Sequence, residues 1–356
     1  MRIAYCIHSL HNSGGIERIL TAKANYLADR MGYEVWIVTA RMHGRTPCFP
    51  LSPKVRTVDL GVNDRLPFGQ KHFLHKLDAC LKEIRPDIAI STGGNELYVL
   101  PDCTDGSVKI AEYHFPYDKF LYKYGKNAFS RYRTRKVEKA AVRFQAFVVL
   151  TKQDKGKWLV PQIRQIYNPL TFSCSEAASL EAPACMAVGR LKREKNFTDL
   201  VDAWKVVVQR HPDWTLDIYG EGKEREKLEK QIRSLGLEKQ VCLRGLSTQI
   251  REAYLKHSCL VVSSKYEGLS MVLLEAAECG LPMVSYDCPT GPAEIIEDRV
   301  NGRLVAPGDK AALAEAICEV IESDRKPMGL AAKETAARFS ADTILQEWDS
   351  LFRSLL

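Results

Sequence analysis

The chain has 356 residues, 46% of them hydrophobic and 27% charged, and carries a net charge of +7. Single cores stop growing near ~250–300 residues, so two domains are expected, and a composition free of low-complexity tracts excludes a disordered chain. No apolar stretch approaches the ~18 residues of a membrane span, and eleven cysteines without any C-x-x-C pair argue against a disulfide framework or a zinc site.

The first element, "RIAYCI", reads as a strand. It is too short and too soon followed by polar residues to be the apolar core of a secretion signal, so a cytoplasmic chain is expected. "GIERILTAKANYLADR" follows with helical spacing, then "EVWIVTA" as a strand, "HKLDACLKEI" as a helix and "PDIAIST" as a strand. Residues 1–168 hold 27 Lys and Arg against 15 Asp and Glu, a balance of +12, whereas the remainder holds 24 against 29, a balance of −5. Much of the excess lies in "YHFPYDKFLYKYGKNAFSRYRTRKVEKAAVRF", where basic residues alternate with Phe115, Tyr117, Phe120, Tyr122, Tyr124, Phe129 and Tyr132. That mixture suits a segment lying on an anionic membrane, or a solvated helix whose rings pack inward. No recognised nucleic-acid-binding motif accompanies it, so nucleic acid is not expected as a partner.

After "FVVL", residues 169–184 are rich in prolines and small polar residues and read as a linker between a domain over 1–168 and a second over 185–340. The second repeats the strand–helix alternation in "MAVGRL", "DLVDAWKVVVQR", "WTLDIYG", "EREKLEKQIRSLG", "VCLRG", "IREAYLKH", "CLVVSS", "LPMVSYD" and "ALAEAICEVIESD". The fold class is therefore α/β, with two doubly wound parallel sheets facing a central cleft. The closing stretch "FSADTILQEWDSLF" is an amphipathic helix over 341–356 that can pack back on the first domain, with Trp348 as a packing residue.

Several short stretches can carry chemistry. "NSGGIER" puts Gly14 and Gly15 in a strand-to-helix turn, where a backbone without side chains can approach a phosphate or sugar oxygen. G-x-G-x-x-G is absent; "YGEGKER" comes nearest, with Arg225 at the third glycine, which disfavours a dehydrogenase. "VGRLKREKNF" sets Arg190 and Lys195 five apart beyond a strand, where two cations can meet one diphosphate. His114 follows a strand-like run and can contact a reacting sugar or move a proton. "EGLSMVLLE" sets Glu267 in a strand-to-helix turn and Glu275 about two turns into the helix, bracketing the free amides of Gly268, Leu269, Ser270 and Met271. Carboxylates accept from hydroxyls and helix-start amides bind anions, so a sugar joined to a phosphate would use both. No D-x-D pair is present, so the phosphate charge falls to cations and amides and no metal or other cofactor is expected.

"NSGGIER", "VGRLKREKNF", "IYGEGKEREKLEKQIRSLGL", "EGLSMVLLEAAECGLPMV" and "NGRLV" stand in an order and spacing that resembles glycosyltransferase family 4, the retaining enzymes of GT-B fold. The resemblance implies a nucleotide diphosphate sugar as donor, held mainly by the second domain. It implies Glu275 on the ribose hydroxyls, Arg190 and Lys195 on the diphosphate, and the 268–271 amides on phosphate and sugar. Glu267 would meet the sugar hydroxyls and the developing positive charge, with Gly15 near the donor phosphate, Arg244 lining the base pocket and His114 near the reacting carbon. Many relatives carry a diglycine turn before a Pro-Glu pair, whereas this chain has "YDCPTGPAEII". That variant resembles members acting in bacterial capsule, O-antigen or other glycan assembly with UDP-linked galactose-type or N-acetylhexosamine donors, ahead of GDP-mannose. The implied acceptor is a glycan or lipid-linked molecule, bound by the first domain and met at the inner face of the cell membrane. A sugar-nucleotide epimerase of the same fold and an inactive nucleotide-binding module are the rival readings.

Overall fold

The computed structural model describes residues 1–63 and 69–356, which divide into two units. Unit 1 comprises Met1–Thr171 with Ala341–Leu356, and unit 2 comprises Phe172–Ser340.

The sheet of unit 1 is built from β1 (Arg2–Ile7), β2 (Glu34–Thr39), β3 (Arg56–Asp59), β4 (Ile88–Ser91), β5 (Val108–Tyr113), β6 (Ala146–Val149) and β7 (Ile163–Gln165), in the order β3-β2-β1-β4-β5-β6-β7. Every pairing is parallel, with Ile3 against Val35 on one side and Ile88 on the other. Parallel sheets need cover on both faces, and the alternation along β1 supplies it. Ala4 and Cys6 join one core with Phe73, Leu77 and Leu81 from the Gly69–Ile84 helix. Ile3, Tyr5 and Ile7 join the other, with Leu20, Ala24 and Leu27 from the Gly15–Asp29 helix and Ile344, Trp348 and Phe352 from the Ala341–Leu355 helix. The terminal helix is thus part of unit 1, and Trp348, 1% exposed, is a core residue there. Tyr26 and Tyr33 also hydrogen-bond its Asp342 and Asp349.

Unit 2 has β8 (Ala184–Val188), β9 (Thr215–Tyr219), β10 (Val241–Gly245), β11 (Cys259–Val262), β12 (Met283–Tyr286) and β13 (Gly302–Val305), all parallel, in the order β10-β9-β8-β11-β12-β13. Leu200, Val201 and Trp204 of the Phe197–Arg210 helix and Leu313 and Ile317 of the Lys310–Glu322 helix cover one face. Residues 172–183, ahead of β8, pack on this unit: the Cys174 amide donates to Glu278 at 2.8 Å and the Ala178 amide to the Cys279 carbonyl at 2.9 Å. "YGEG" also finds its reason here. A Cβ on Gly220 would collide with the Gly189 carbonyl, and one on Gly222 with the Leu191 carbonyl, so the loops leaving β8 and β9 meet backbone to backbone.

In each sheet the chain order reverses at one seam, between β1 and β4 and between β8 and β11. Ligands of open α/β sheets bind beyond the carboxyl ends of strands at such a seam. Among the described residues no helix is long and apolar enough to cross a membrane.

Candidate functional site

Beyond the β8/β11 seam, the loop after β8 carries Arg190 and Lys195, and the loop after β11 leads into the Met271–Glu278 helix. Lys195 runs its alkyl chain across Gly189, where a Cβ would lie 3.3 Å from its Cδ. Its Nζ ends 2.7 Å from Glu267 Oε1, which also accepts from Ser264 Oγ at 2.6 Å. Neither side chain is far from solvent, at 22% and 11% exposure, so the pair lines an accessible surface. Arg190 is exposed, and its guanidinium makes no hydrogen bond or ion pair among the described residues.

The helix tip beside this pair presents open donors. Among the described residues no backbone carbonyl accepts from the amides of Gly268, Leu269, Ser270 or Met271. Ser270 stands at the N-cap without capping the helix; it is 2% exposed, and its hydroxyl has no hydrogen-bond partner among the described residues. Buried polar groups are nearly always paired, so an open hydroxyl beside four open amides is an uncommon group of donors with the chemistry an anion would satisfy. "CPTGP" shapes the tip from behind. Thr290, at φ 62°, donates its hydroxyl to the Glu267 carbonyl, and Gly291, at φ 100°, lies where a Cβ would be 2.5 Å from the Gly268 carbonyl. The departure noted in the sequence is therefore a turn that presses on the 267–270 loop, and only glycine fits its second position.

Glu275 sits on the same helix, 2% exposed, and accepts from the buried Tyr254 hydroxyl at 2.9 Å. Arg244, half exposed, pairs through Nε with Asp217 at 2.9 Å, and Asp217 meets His257 Nε2 at 3.3 Å. Burial pushes the Asp217 carboxyl up, but the hydrogen bond from His257 and the paired Arg244 guanidinium outweigh it and hold it below the usual carboxylate range. Arg244 is thus steered by a fixed anion at the edge of the sheet.

In unit 1, Gly14 is the N-cap of the Gly15–Asp29 helix, and the Glu17 carboxylate folds over it so closely that a Cβ would collide. Nothing lies within 4 Å of the place of a Cβ on Gly15, which leaves open space at that helix start. His114 follows β5 with its side chain 4% exposed and Nε2 3.4 Å from Glu112 Oε1. Burial, aided by the nearby Lys23 charge, lowers the imidazole below its ordinary value against the pull of Glu112, so the ring is neutral at neutral pH. Both oxygens of Glu112 accept from Lys23 Nζ, at 2.8 and 2.7 Å, with the Lys23 side chain fully buried.

Sequence reasoning missed Ser264, Tyr254, Asp217, His257, Lys23 and Glu112. A lysine within the apolar face "ILTAKANYL" and a glutamate near the end of a strand, two residues before His114, were the available signals. The basic, aromatic stretch divides. Phe120 is buried and Phe115 and Tyr117 pack on the core, whereas Tyr124, Phe129 and Tyr132 are exposed at 40%, 50% and 61%. Beside Tyr132, a surface hollow of about 470 Å³ on the Ala128–Ala141 helix is lined by Arg131, Arg135, Lys136 and Lys139.

Residues 175–338 match the family model "Glycosyl transferases group 1" and residues 13–170 match "Glycosyltransferase Family 4". An uncharacterized glycosyltransferase of Haemophilus influenzae is 25% identical over 98% of this chain and 99% of its own length. The exopolysaccharide phosphotransferase of Streptomyces coelicolor is 35% identical over 59% of this chain but only 23% of that protein. The amylovoran biosynthesis glycosyltransferase AmsD of Erwinia amylovora is 36% identical over 47% of each. Two solved structures share the fold over the full length of both chains: the lipopolysaccharide outer core galactosyltransferase WaaB in its apo form, at TM-score 0.78 and 22% identity, and Anabaena HepE in complex with UDP, at TM-score 0.79 and 21% identity. With both halves accounted for by these two models, the chain belongs to the group 1 and family 4 glycosyltransferases and has their GT-B fold of two Rossmann-like domains.

Proposed function

We propose that this protein is a retaining glycosyltransferase of bacterial polysaccharide assembly that moves a hexosyl unit from a UDP-sugar, of galactose or N-acetylhexosamine type, to a glycan or lipid-linked acceptor. The observation that carries the reading is the tip of the Met271–Glu278 helix, where an unpartnered buried Ser270 hydroxyl and four free amides adjoin the Lys195–Glu267 pair. The amides and Ser270 suit a phosphate oxygen, Lys195 and Arg190 balance the diphosphate charge, and Glu267 faces the sugar. The polysaccharide assignment is supported by AmsD and WaaB, and the uridine by HepE, each through its own ligand or role.

In the step itself the bond from the anomeric carbon to the diphosphate oxygen breaks as the acceptor oxygen bonds to that carbon on the same face. The leaving oxygen takes the acceptor proton, giving a glycoside and UDP. Catalysis is then placement and charge stabilisation: cations and amides on the leaving group, the Glu267 carboxylate beside the developing positive charge. A divalent metal has no part in this scheme. UDP near a hundredfold its Kd is expected to stabilise the protein by about 2.7 kcal/mol, a rise in Tm of several degrees that GDP does not match. Arg190→Ala should remove most of that rise. The product of an α-linked UDP-sugar should be α-linked by NMR, at a rate unchanged by EDTA. Equal protection by UDP and GDP, an inverted product or loss of turnover to chelator would each refute the corresponding part.

The protein acts in the cytoplasm against the inner leaflet in this reading, with Tyr124, Phe129, Tyr132 and the cations around Arg135 meeting anionic headgroups at about 1 kcal/mol per basic residue. Co-sedimentation with phosphatidylglycerol vesicles should fall steeply between low and 0.5 M salt and should weaken in Arg131→Glu with Arg135→Glu. Binding indifferent to salt and to lipid charge removes the membrane contact.

A further inference from the structure

The "CPTGP" turn holds a residue that is costly where it stands. Thr290 is 1% exposed with φ 62°, in the left-handed region that a β-branched side chain rarely enters. Glycine or asparagine would adopt that backbone with less strain. What threonine supplies there, and they do not, is a hydroxyl on Cβ. Local strain gathers where a site needs a group held in one place, and the contacts of this turn show which group that is.

The Thr290 hydroxyl donates to the Glu267 carbonyl. The carbonyl before it, that of Pro289, accepts from the Glu267 amide over a long 3.5 Å. The residue after it, Gly291, comes so close that a Cβ there would lie 3.3 Å from the Glu267 Cβ and 2.5 Å from the Gly268 carbonyl. Three consecutive residues therefore grip Glu267 at its amide, its carbonyl and its Cβ. Holding the peptide units on both sides of a residue fixes the direction in which its side chain leaves the backbone. The carboxylate at the far end accepts from Lys195 Nζ at 2.7 Å and from Ser264 Oγ at 2.6 Å. A diphosphate on the helix-tip amides would draw the Lys195 ammonium to itself. The carboxylate must then keep its direction on Ser264 and the turn.

We propose that Thr290 is a positioning residue for sugar transfer: through the Glu267 carbonyl it keeps that carboxylate aimed at the donor sugar while Lys195 serves the diphosphate. This rests on the reading of Glu267 as the group that faces the sugar. Thr290 brings no charge of its own to the reaction and acts through Glu267, which makes its effect separable from packing.

The test is steady-state hydrolysis of UDP-galactose and of UDP-N-acetylglucosamine by the full chain, which needs no glycan acceptor. Thr290→Val keeps the branched shape and deletes the hydroxyl. It should lower kcat by about tenfold or more, the scale on which small misplacements of a reacting group act, with KM for the donor within about threefold. Thr290→Ser keeps the hydroxyl and should stay within about threefold of wild type in both constants. In a Glu267→Gln background, Thr290→Val should cost less than about twofold further, because the group it positions has lost its charge. Thr290→Ala lacks the hydroxyl without the crowding of a branched side chain, and repeats the comparison should the valine variant fold poorly. The same loss in both backgrounds would make the turn a packing feature and overturn the proposal. So would wild-type kcat in Thr290→Val and Thr290→Ala beside a low kcat in Glu267→Gln, which leaves the role of Glu267 standing. Wild-type kcat in Glu267→Gln removes the sugar-facing reading and the proposal with it, and a wild type that hydrolyses neither donor does the same through the donor reading.

Discussion

Replacing Glu267 by glutamine is expected to lower kcat by about 10²–10³ while leaving KM for the nucleotide sugar within a few-fold, the signature of an interaction that matters in the transition state. Glutamine keeps the shape of the side chain and can still accept from Ser264, now 2.6 Å away, so packing at the helix tip survives. The anion is what disappears. Lys195→Met should do the opposite, raising KM more than it lowers kcat, because the ammonium balances diphosphate charge that is present before and during transfer. With Nζ and Oε1 only 2.7 Å apart, the two losses should not add. Each single variant leaves an unpaired charge and the double variant leaves none, so a double-mutant cycle should return a coupling of about 0.5–3 kcal/mol. Glu267→Gln with kcat within twofold of wild type would take Glu267 out of the chemistry.

What could be read ahead of the structure follows the range of the interaction. The Glu267-to-Glu275 spacing is local, and the Met271–Glu278 helix begins where the free amides require it. The long apolar strands announce themselves too, since β1, β4, β6 and β11 are buried almost end to end. Missed strands are the ones without that signature: β3 is the exposed "RTVD", and β7 is three residues of mixed burial. Contacts across the sheets were illegible for another reason. Lys195 and Glu267 lie 72 positions apart and meet only because β8 and β11 are neighbours, which depends on where the winding reverses. Thr290 is harder still. "CPTGP" reads as a turn, and nothing in it marks a hydroxyl that holds the carbonyl of a residue 23 positions before it.

Lys23→Met should destabilise unit 1 by about 3–5 kcal/mol, as expected when one half of a buried ion pair is removed. The lysine enters the core at the middle of the Gly15–Asp29 helix, its side chain 0% exposed, and ends on both oxygens of Glu112, 3% exposed. Burial alone drives Lys23 below its ordinary value and Glu112 above it. The pairing with Lys23 reverses the second of these, and the glutamate stays ionised. Removing the ammonium leaves that carboxylate in a dry core with a neutral imidazole 3.4 Å away. Trp348 adds to the loss, because Nζ stands 3.7 Å from its ring centroid and the terminal helix is held partly through that contact. Lys23→Met combined with Glu112→Leu should recover more than half of the stability, since no charge is then left buried. Yet the double variant should not recover activity if His114 acts on the donor sugar, because the carboxylate that fixes its ring is gone. Urea unfolding with Trp348 as the local probe, and hydrogen exchange along β5, give the stability arm; turnover gives the other. A single variant within 1 kcal/mol of wild type would mean that water reaches the pair, and a fully active double variant would make the pair a packing device with no hold on His114.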